Sequence, residues 1–268
     1  MKNFNKTILA ITVTLTTFLI SCDKAETIDP NVKNNLSIEF DNVVGNKDLK
    51  LDAEQYTNAN GESFNITTFN YYISNISFKN DKGETITIPK EESYFLVKED
   101  DKASQSITLK NIPSGNYTSV SFIIGVDSVK NTAPVAERTG VLDLANAMYW
   151  SWNSGYIFLK MEGTSEAAPA DANGKKGYKC HIGGYGGKDS KTINNIKTIT
   201  MPLATAATVR SNIAPTIHLL ADAMKVVNGS TNVRFSANAV TMFNPFSVNI
   251  ANNYANMISV DHVHNDKM

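Results

Sequence analysis

Cysteine and charged residues are scarce in this chain of 268 residues, which contains two cysteines and in which 19% of the residues are charged. Two cysteines are too few for a disulfide framework. The 25 lysines and arginines nearly balance the 26 aspartates and glutamates, so the chain lacks the basic excess that draws a protein to nucleic acid. The composition therefore argues against both a disulfide-rich scaffold and a nucleic-acid-binding protein.

The sequence also lacks the short motifs that mark common catalytic and cofactor sites. It contains no P-loop, no GxGxxG or GxSxG motif, no HExxH zinc motif and no EF-hand loop. The glycine-rich residues 181–187 have the wrong spacing for a phosphate cradle, and no acidic residues form a recognisable acid/base pair. We therefore expect a protein that binds a ligand and is not an enzyme.

An apolar run near the N-terminus predicts a lipoprotein signal. Lys2 and Lys6 precede the run, which is too short for a transmembrane helix. The run ends in Leu-Ile-Ser-Cys and is similar to a bacterial lipobox, in which the cysteine is acylated. We expect residues 1–21 to be a signal peptide and Cys22 to be the lipidated first residue of the mature chain. A plain secretory signal or a short anchor is the alternative.

Residues 22–35 are predicted to be a flexible tether, because they are polar and have no periodicity. Acyl chains on Cys22 would hold the protein on a lipid bilayer without a spanning helix. These features predict a protein of the cell envelope that is lipid-anchored to the outer membrane.

Apolar and polar residues alternate along many short segments beyond the tether, which is the pattern of β-strands. Clear examples are residues 36–40, 117–127 and 156–163, and Asp81-Lys82-Gly83 predicts the turn of a hairpin. About ten such segments at regular spacing are typical of an all-β sandwich or barrel. We therefore predict one all-β domain over residues 36–268, a sandwich or barrel-like fold with one or two short helices.

Four segments carry more specific predictions of secondary structure. Residues 133–147 have helical spacing and are expected to form one short helix or two turns, and residues 236–258 are expected to contain helical turns. Residues 213–227 and 232–235 are predicted to be strands because of their apolar and β-branched side chains.

The four histidines of the chain are the candidate metal ligands. Residues i and i+2 of an extended chain share a face, so His262 and His264 would lie side by side and could share one ion; a solvated tail is the alternative. Alternation places His181 opposite its apolar neighbours, where it is free for a site or for solvent. His218 lies between two apolar residues and is interpreted as a structural histidine.

Cys180 precedes His181 directly and is the one cysteine beyond position 22. Alternation places it on the apolar face of its strand, so we interpret it as a small buried side chain.

Residues 148–156 contain four aromatic residues, among them Trp150 and Trp152, the two tryptophans of the chain. Aromatic clusters usually form a packed corner of a core. A platform for stacking sugars, formed by Trp150, Trp152 and Tyr156, and a redox-active indole are the alternatives.

Several ordered motifs resemble the MbnP family of copper-binding proteins, which are periplasmic or lipid-anchored and associated with methanobactin operons, among other genomic settings. The resemblance extends over residues 36–265 and is carried by FDNVVGNKDLKLD (40–52), FNYYISNISF (69–78), AMYWSWNSGYIFLKMEG (147–163), YKCHIGG (178–184) and DHVHN (261–265).

This resemblance implies copper binding through histidines, in known cases assisted by a tryptophan that a dihaem enzyme of the bacterial peroxidase type has oxidised to kynurenine. Carried onto this chain, it implies that Trp150 or Trp152 is the tryptophan and that His181, His262 and His264 bind one copper ion close to it.

The donor chemistry is compatible with this hypothesis, because imidazoles without a cage of carboxylates suit copper or zinc and not calcium or magnesium. Since a bound imidazole must be neutral, binding is expected to weaken as the pH falls through about 6–7. The favoured function is therefore copper binding or acquisition in the cell envelope. A surface lipoprotein that binds glycan or peptide through the aromatic platform is the alternative.

Overall fold

Two β-sheets organise the chain in a computed structural model that describes residues 28–29, 31–150, 152 and 155–267. The predicted signal peptide, Cys22 and the first part of the tether lie outside the described residues. The strands are β1 (Lys33–Val44), β2 (Lys47–Asp48), β3 (Tyr56–Thr57), β4 (Ser63–Phe64), β5 (Thr68–Asn80), β6 (Thr85–Thr87), β7 (Tyr94–Lys98), β8 (Ser106–Pro113), β9 (Gly115–Ile124), β10 (Tyr149–Trp150), β11 (Gly155–Thr164), β12 (Gly177–Gly183), β13 (Lys197–Val209), β14 (Thr216–Asp222), β15 (Val240–Thr241) and β16 (Ile258–His264). The α-helices are α1 (Ser128–Asn131), α2 (Met224–Val227), α3 (Phe235–Asn238) and α4 (Ser247–Tyr254).

The first sheet has five strands, in the order β16-β14-β1-β2, with β8 also paired to β1. β1 runs parallel to β14 and antiparallel to β2 and β8, and β14 runs antiparallel to β16. The parallel pair joins two strands that are far apart in the sequence.

The second sheet has nine strands, in the order β13-β9-β5-β11-β12-β15, with β6, β7 and β10 added at its margins. β5 and β6 form the hairpin that was predicted around residues 81–83. A two-stranded ribbon of β3 and β4 completes the sheets of the described chain.

The main core lies between the two sheets. Phe40 of β1 packs edge-on against Tyr71 of β5 and Phe122 of β9, with ring centroids 6.1 and 6.0 Å apart. Asn42 accepts a hydrogen bond from the Tyr71 hydroxyl and donates one to Glu99, so these three buried polar side chains are paired. Face-to-face packing of two sheets is a sandwich, and the predicted all-β fold is confirmed.

A second, smaller hydrophobic cluster covers the outer face of the nine-stranded sheet. Tyr72, Tyr156 and Phe158 project from this face and pack against residues of the segment that follows β9, among them Leu142 and Trp150. The segment was predicted to form one helix or two turns, and it forms three short 3₁₀ turns at Val135–Glu137, Gly140–Leu142 and Leu144–Asn146.

Backbone conformation explains why no longer helix forms there. Gly140 has a φ of 60° and Ala147 a φ of 55°, and a left-handed residue interrupts an α-helix. Short 3₁₀ turns accommodate such interruptions.

Two of the predicted strands differ in the structure: the first is shorter than predicted, and the second does not form. The strand predicted over residues 213–227 stops at Asp222, whose carboxylate accepts a hydrogen bond from the Met224 backbone N–H and so starts α2. Residues 232–235 were predicted to be a strand, but Phe235 begins α3, because the Glu62 carboxylate accepts hydrogen bonds from the first backbone N–H groups of that helix. Among the described residues, every helix is too short or too polar to cross a bilayer.

Candidate metal centre

Three adjacent strands of the five-stranded sheet place polar side chains in a row on its outer face. Glu39 of β1 pairs with His218 of β14, and His218 pairs with His262 of β16. Paired residues on neighbouring strands present their side chains on the same face of a sheet. The apolar neighbours Ile217 and Leu219 point the opposite way, into the core, where both are fully buried. Strand alternation therefore turns His218 outward.

A β-bulge in β16 completes the row. His218 pairs with His262 while the next residue, Leu219, pairs with Val260, so Asp261 is an extra residue on β16. Val260 packs against the core, whereas Asp261 and His262 are both exposed. The bulge thus brings two consecutive polar side chains to the outer face.

His218, His262 and His264 form a compact cluster, which we call the histidine cluster. Each of the three side chains offers a ring nitrogen, and these nitrogens lie within 4.8 Å of one another. The rings of His218 and His262 are stacked, with centroids 4.4 Å apart, and the ring of His264 stands edge-on to both. The Nε2 atoms of His262 and His264 are 2.8 Å apart, so these two rings direct their Nε2 atoms towards a common point.

A carboxylate faces the inner nitrogen, Nδ1, of every ring in the histidine cluster. Asp261 lies 2.8 Å from Nδ1 of His262, and Glu39 lies 3.5 Å from Nδ1 of His218. Asp266 is the most distant, at 3.9 Å from Nδ1 of His264. Metal-binding histidines commonly have this arrangement, because a carboxylate at one nitrogen orients the other nitrogen towards the ion.

The lowered pKa of His218 favours ligand binding. Partial burial lowers its pKa; Glu39 acts in the opposite direction, and His262 and His264 lower the pKa further. A lowered pKa keeps the imidazole neutral at mildly acidic pH, which is the form that binds a metal.

The donor set of the histidine cluster fits a transition-metal ion. Three neutral imidazoles suit copper, zinc and nickel, whereas calcium and magnesium require oxygen ligands. The cluster is half exposed, so an ion can enter from solvent. Among the described residues it is the group of histidine, cysteine and acidic side chains that satisfies the geometry of a metal site.

His181, predicted to share the ion with His262 and His264, lies elsewhere. It is on β12 of the nine-stranded sheet, with its side chain on the outer face of that sheet, and its Nε2 atom is 2.6 Å from Glu162 of β11. Burial lowers the pKa of His181, although Glu162 raises it. Because the two sheets pack through their inner faces, the outer faces that carry His181 and the histidine cluster are on opposite sides of the sandwich.

Trp150 belongs to β10 of the nine-stranded sheet, and Trp152 lies in the turn that follows β10. Trp150 is 4% exposed and Trp152 is 62% exposed, and their ring centroids are 5.4 Å apart. Trp150 packs on Gly183, two residues from His181 on the same face of β12. His181 thus lies on the same strand as Gly183, on which Trp150 packs, whereas His262 and His264 lie on a strand of the other sheet.

Cys180 is fully buried, and burial raises the pKa of its thiol to about 12. A buried thiol with a raised pKa is unreactive and is a poor metal ligand. The interpretation of Cys180 as a core residue is therefore confirmed.

A model of the MbnP family matches residues 33–248 of the sequence. The chain belongs to the MbnP family. Among solved structures, MbnP from Methylosinus trichosporium is similar, with a TM-score of 0.54 and 13% sequence identity over 81% of this chain and 87% of that one. At this identity the likeness supports the fold alone. A comparison with curated proteins gave no match.

The MbnP family match includes one member of the histidine cluster, His218, and also His181, Trp150 and Trp152. It ends before His262 and His264. Membership of the MbnP family therefore does not by itself assign the histidine cluster, which is defined by the geometry of β14 and β16.

Sequence reasoning missed His218 as a member of the cluster. Its outward position could be read from the alternation of Ile217, His218 and Leu219, but this position alone does not distinguish a ligand from a structural histidine. The missing information was that β14 lies next to β16, which the sequence pattern does not reveal.

Proposed function

We propose that this MbnP-family protein is a lipid-anchored copper-binding protein of the cell envelope and that His218, His262 and His264 bind the ion. The observation that carries the proposal is the convergence of three imidazoles within 4.8 Å, each with a carboxylate at its inner nitrogen. The proposal replaces His181 by His218 in the predicted ligand set.

Two arguments favour copper over other ions: the general order of metal affinities for nitrogen ligands, and the resemblance of the sequence motifs to a copper-binding family. Nitrogen sites generally bind divalent copper more tightly than zinc or the earlier first-row metals. The motifs in this sequence resemble a family of copper-binding proteins. Zinc is the nearest competitor, because it also binds imidazole.

Binding, and not catalysis, is the proposed role of the cluster. The described carboxylates near the histidines contact the inner ring nitrogens, and they are therefore arranged to orient the rings. Copper acquisition or storage requires nothing more than such a site.

The alternative of a glycan platform receives no support from the geometry. Trp150 and Tyr156 are buried in the cluster on the nine-stranded sheet, at 4% and 0% exposure, so neither can stack on a sugar. Trp152 alone is exposed, and one exposed ring does not form a platform. Oxidation of a tryptophan by a dihaem partner enzyme stays a prediction.

The copper site can be tested on untagged protein, because an affinity histidine tag would itself bind copper. Copper is titrated against a competing chelator into the wild type, the triple variant His218→Ala/His262→Ala/His264→Ala, and His181→Ala as the matched control. We expect tight binding in the wild type and in His181→Ala, and its loss in the triple variant. Equal affinity of the wild type and the triple variant would refute the site, and loss of binding in His181→Ala alone would move it to the other sheet.

Lipid anchoring through Cys22 is a separate part of the proposal. It rests on the apolar run that ends at Cys22 and on the polar segment that follows. Metabolic labelling with a palmitate analogue is expected to label the wild type and not Cys22→Ala. Equal labelling of both proteins would contradict the anchor.

A further inference from the structure

The histidine cluster presents its three donor side chains from one side only. His218, His262 and His264 lie on the outer face of the five-stranded sheet, and β16 is the last strand at that edge. The side chains of His262 and His264 are 48% and 50% exposed, and that of His218 is 25% exposed. An ion held by these rings would therefore have the sheet beneath it and solvent above it.

The histidine cluster supplies three ligands, and a copper ion can take a fourth. Within the described part of the chain, the group of side chains that satisfies the geometry of a metal site consists of these three histidines. Asp261, the carboxylate nearest to the cluster, lies at Nδ1 of His262, whereas Nε2 of that ring faces His264. A metal ion bound by three protein ligands commonly completes its coordination with water or with a ligand from outside the protein.

We propose that the fourth ligand of the copper ion comes from a second molecule, an acceptor that presents a sulfur or nitrogen donor, and that copper passes to this acceptor directly from the histidine cluster. Sulfur and imidazole nitrogen are donors that suit copper. This inference rests on the proposed function and names the way in which the site releases its ion. Release in this way does not require β16 to separate from β14, because the acceptor reaches the ion from the solvent side.

The transfer is an exchange of ligands, in which copper is neither oxidised nor reduced. A lone pair of the acceptor forms a bond to copper while the bonds to the three histidines are still in place. The histidine bonds then break in turn, and each ring leaves as a neutral imidazole, the form in which it was bound. An acceptor thiol gives up its proton to solvent as it binds. Because the acceptor enters before a histidine leaves, the rate of transfer depends on the acceptor concentration.

A closed site would release copper in a different way. An ion enclosed by four protein ligands, as in structural zinc sites, leaves only after a protein ligand detaches or the strand opens locally. The rate of that step does not depend on the acceptor. The dependence of the rate on acceptor concentration therefore distinguishes an open from a closed site.

Thr216 provides a way to close the histidine cluster. It pairs with His264 across the sheet and precedes His218 by two residues on β14. Residues in these two relationships share a face of the sheet. A histidine at position 216 would therefore add a fourth imidazole beside the other three.

The inference can be tested by removing copper(I) from the loaded, untagged protein under anaerobic conditions. The chelator is bathocuproine disulfonate, a nitrogen donor whose copper complex is coloured, and it is added at increasing concentrations. The wild type is compared with Thr216→His and with Thr216→Val, the matched control that keeps the shape of threonine and lacks a donor atom. Circular dichroism and the copper content verify that each protein is folded and loaded.

We expect the rate of copper removal from the wild type to double each time the chelator concentration doubles, and to extrapolate to nearly zero without chelator. Thr216→Val should behave like the wild type. In Thr216→His the slope of rate against chelator concentration should fall several-fold, because the chelator must then displace a protein ligand before it can bind.

A rate that stays constant as the chelator concentration rises would overturn the inference, since the protein itself would then limit release. An unchanged slope in Thr216→His would also overturn it, because the chelator would then not enter at the position beside the three histidines. In both results the copper site itself stands. Absence of copper binding to the wild type would overturn the proposed function together with this inference.

Discussion

Gly183 shows how closely the aromatic cluster packs on the outer face of the nine-stranded sheet. A Cβ atom at this position would lie 2.2 Å from the Tyr156 carbonyl oxygen and 2.7 Å from the Trp150 ring. We therefore expect Gly183→Ala to lower the free energy of unfolding by about 1–3 kcal/mol, the usual effect of overpacking. Denaturant unfolding followed by tryptophan fluorescence measures the change.

Gly177, at the other end of the same strand, provides the control for this prediction. A Cβ atom there would meet its nearest neighbour, the Gly163 carbonyl oxygen, at 3.6 Å, which is an ordinary contact. Gly177→Ala is expected to change the free energy of unfolding by less than about 1 kcal/mol. Equal stabilities of the two variants would show that the packing at Gly183 is looser than described.

Asp127 connects α1 to β7 of the nine-stranded sheet. Its carboxylate caps α1 by accepting hydrogen bonds from the Val129 and Lys130 backbone N–H groups, and it accepts another from the Tyr94 hydroxyl at 2.5 Å. Burial alone would raise the pKa of Asp127, but these hydrogen bonds and the nearby Lys90 ammonium together hold it below its usual value. The ionised form therefore stabilises the fold.

The sign of this shift predicts how stability depends on pH. A carboxyl group whose pKa is lower in the folded than in the unfolded state contributes stability that is complete above the unfolded value of about 3.9. This contribution is lost as the pH falls through the lower folded value. We expect Tyr94→Phe to reduce the free energy of unfolding by about 1 kcal/mol at pH 7, and the reduction to shrink as the pH falls below the unfolded value and through the lower folded pKa of Asp127.

Tyr72→Phe is the control for the pH dependence. Tyr72 donates its hydroxyl hydrogen to the Val141 carbonyl oxygen at 2.8 Å, an acceptor that does not titrate. Urea titrations at several pH values should therefore show a loss for Tyr72→Phe that stays constant between pH 2 and 7. A constant loss for Tyr94→Phe as well would contradict the role assigned to Asp127.

Individual strands could be predicted from the sequence because each shows a local alternation of apolar and polar residues. The segments that became β1, β9, β11 and β12 were identified in this way, and so was the outward orientation of His181. Where a side chain from elsewhere decides the local structure, the sequence pattern was misleading. Glu62, for example, starts α3 at Phe235 from a distant ribbon, so the strand predicted for residues 232–235 does not form.

The pairing of strands across the molecule could not be predicted in the same way. β1 and β14 are parallel neighbours although most of the domain separates them in sequence. That pairing brings Glu39 to His218, and the pairing of β14 with β16 brings His218 to His262; neither is indicated by the local sequence pattern. The proximity of His262 and His264 could be predicted because both residues lie on one strand. His218, the third histidine of the cluster, lies on another strand, and its proximity to them could not be predicted.

The histidine cluster connects β16 to the rest of the sheet, since two of its histidines lie on β16 and one on β14. A bound ion would therefore cross-link β16 to β14. We expect the amide hydrogens of β16 to exchange more slowly when copper(II) is added, and global stability to rise by about 2.7 kcal/mol at a free copper concentration 100 times the Kd. Hydrogen exchange followed by mass spectrometry measures the local effect.

The triple histidine variant is the control for this measurement, because it retains the strands and lacks the ligands. Its exchange rates should not respond to copper. Slower exchange across the whole domain of the variant would indicate nonspecific binding, and an unchanged rate in wild-type β16 would show that the ion does not join the two strands.

The long sequence separation within the cluster has a consequence for the order of events during folding. Contacts between distant segments are slow to form, because the intervening loop must close first. The histidine cluster is completed only when β14 and β16 have paired. An ion that binds a late-forming arrangement stabilises the native state but not the transition state. Copper should therefore leave the rate of refolding unchanged and slow the rate of unfolding, so that the loaded protein persists longer than its metal-free form.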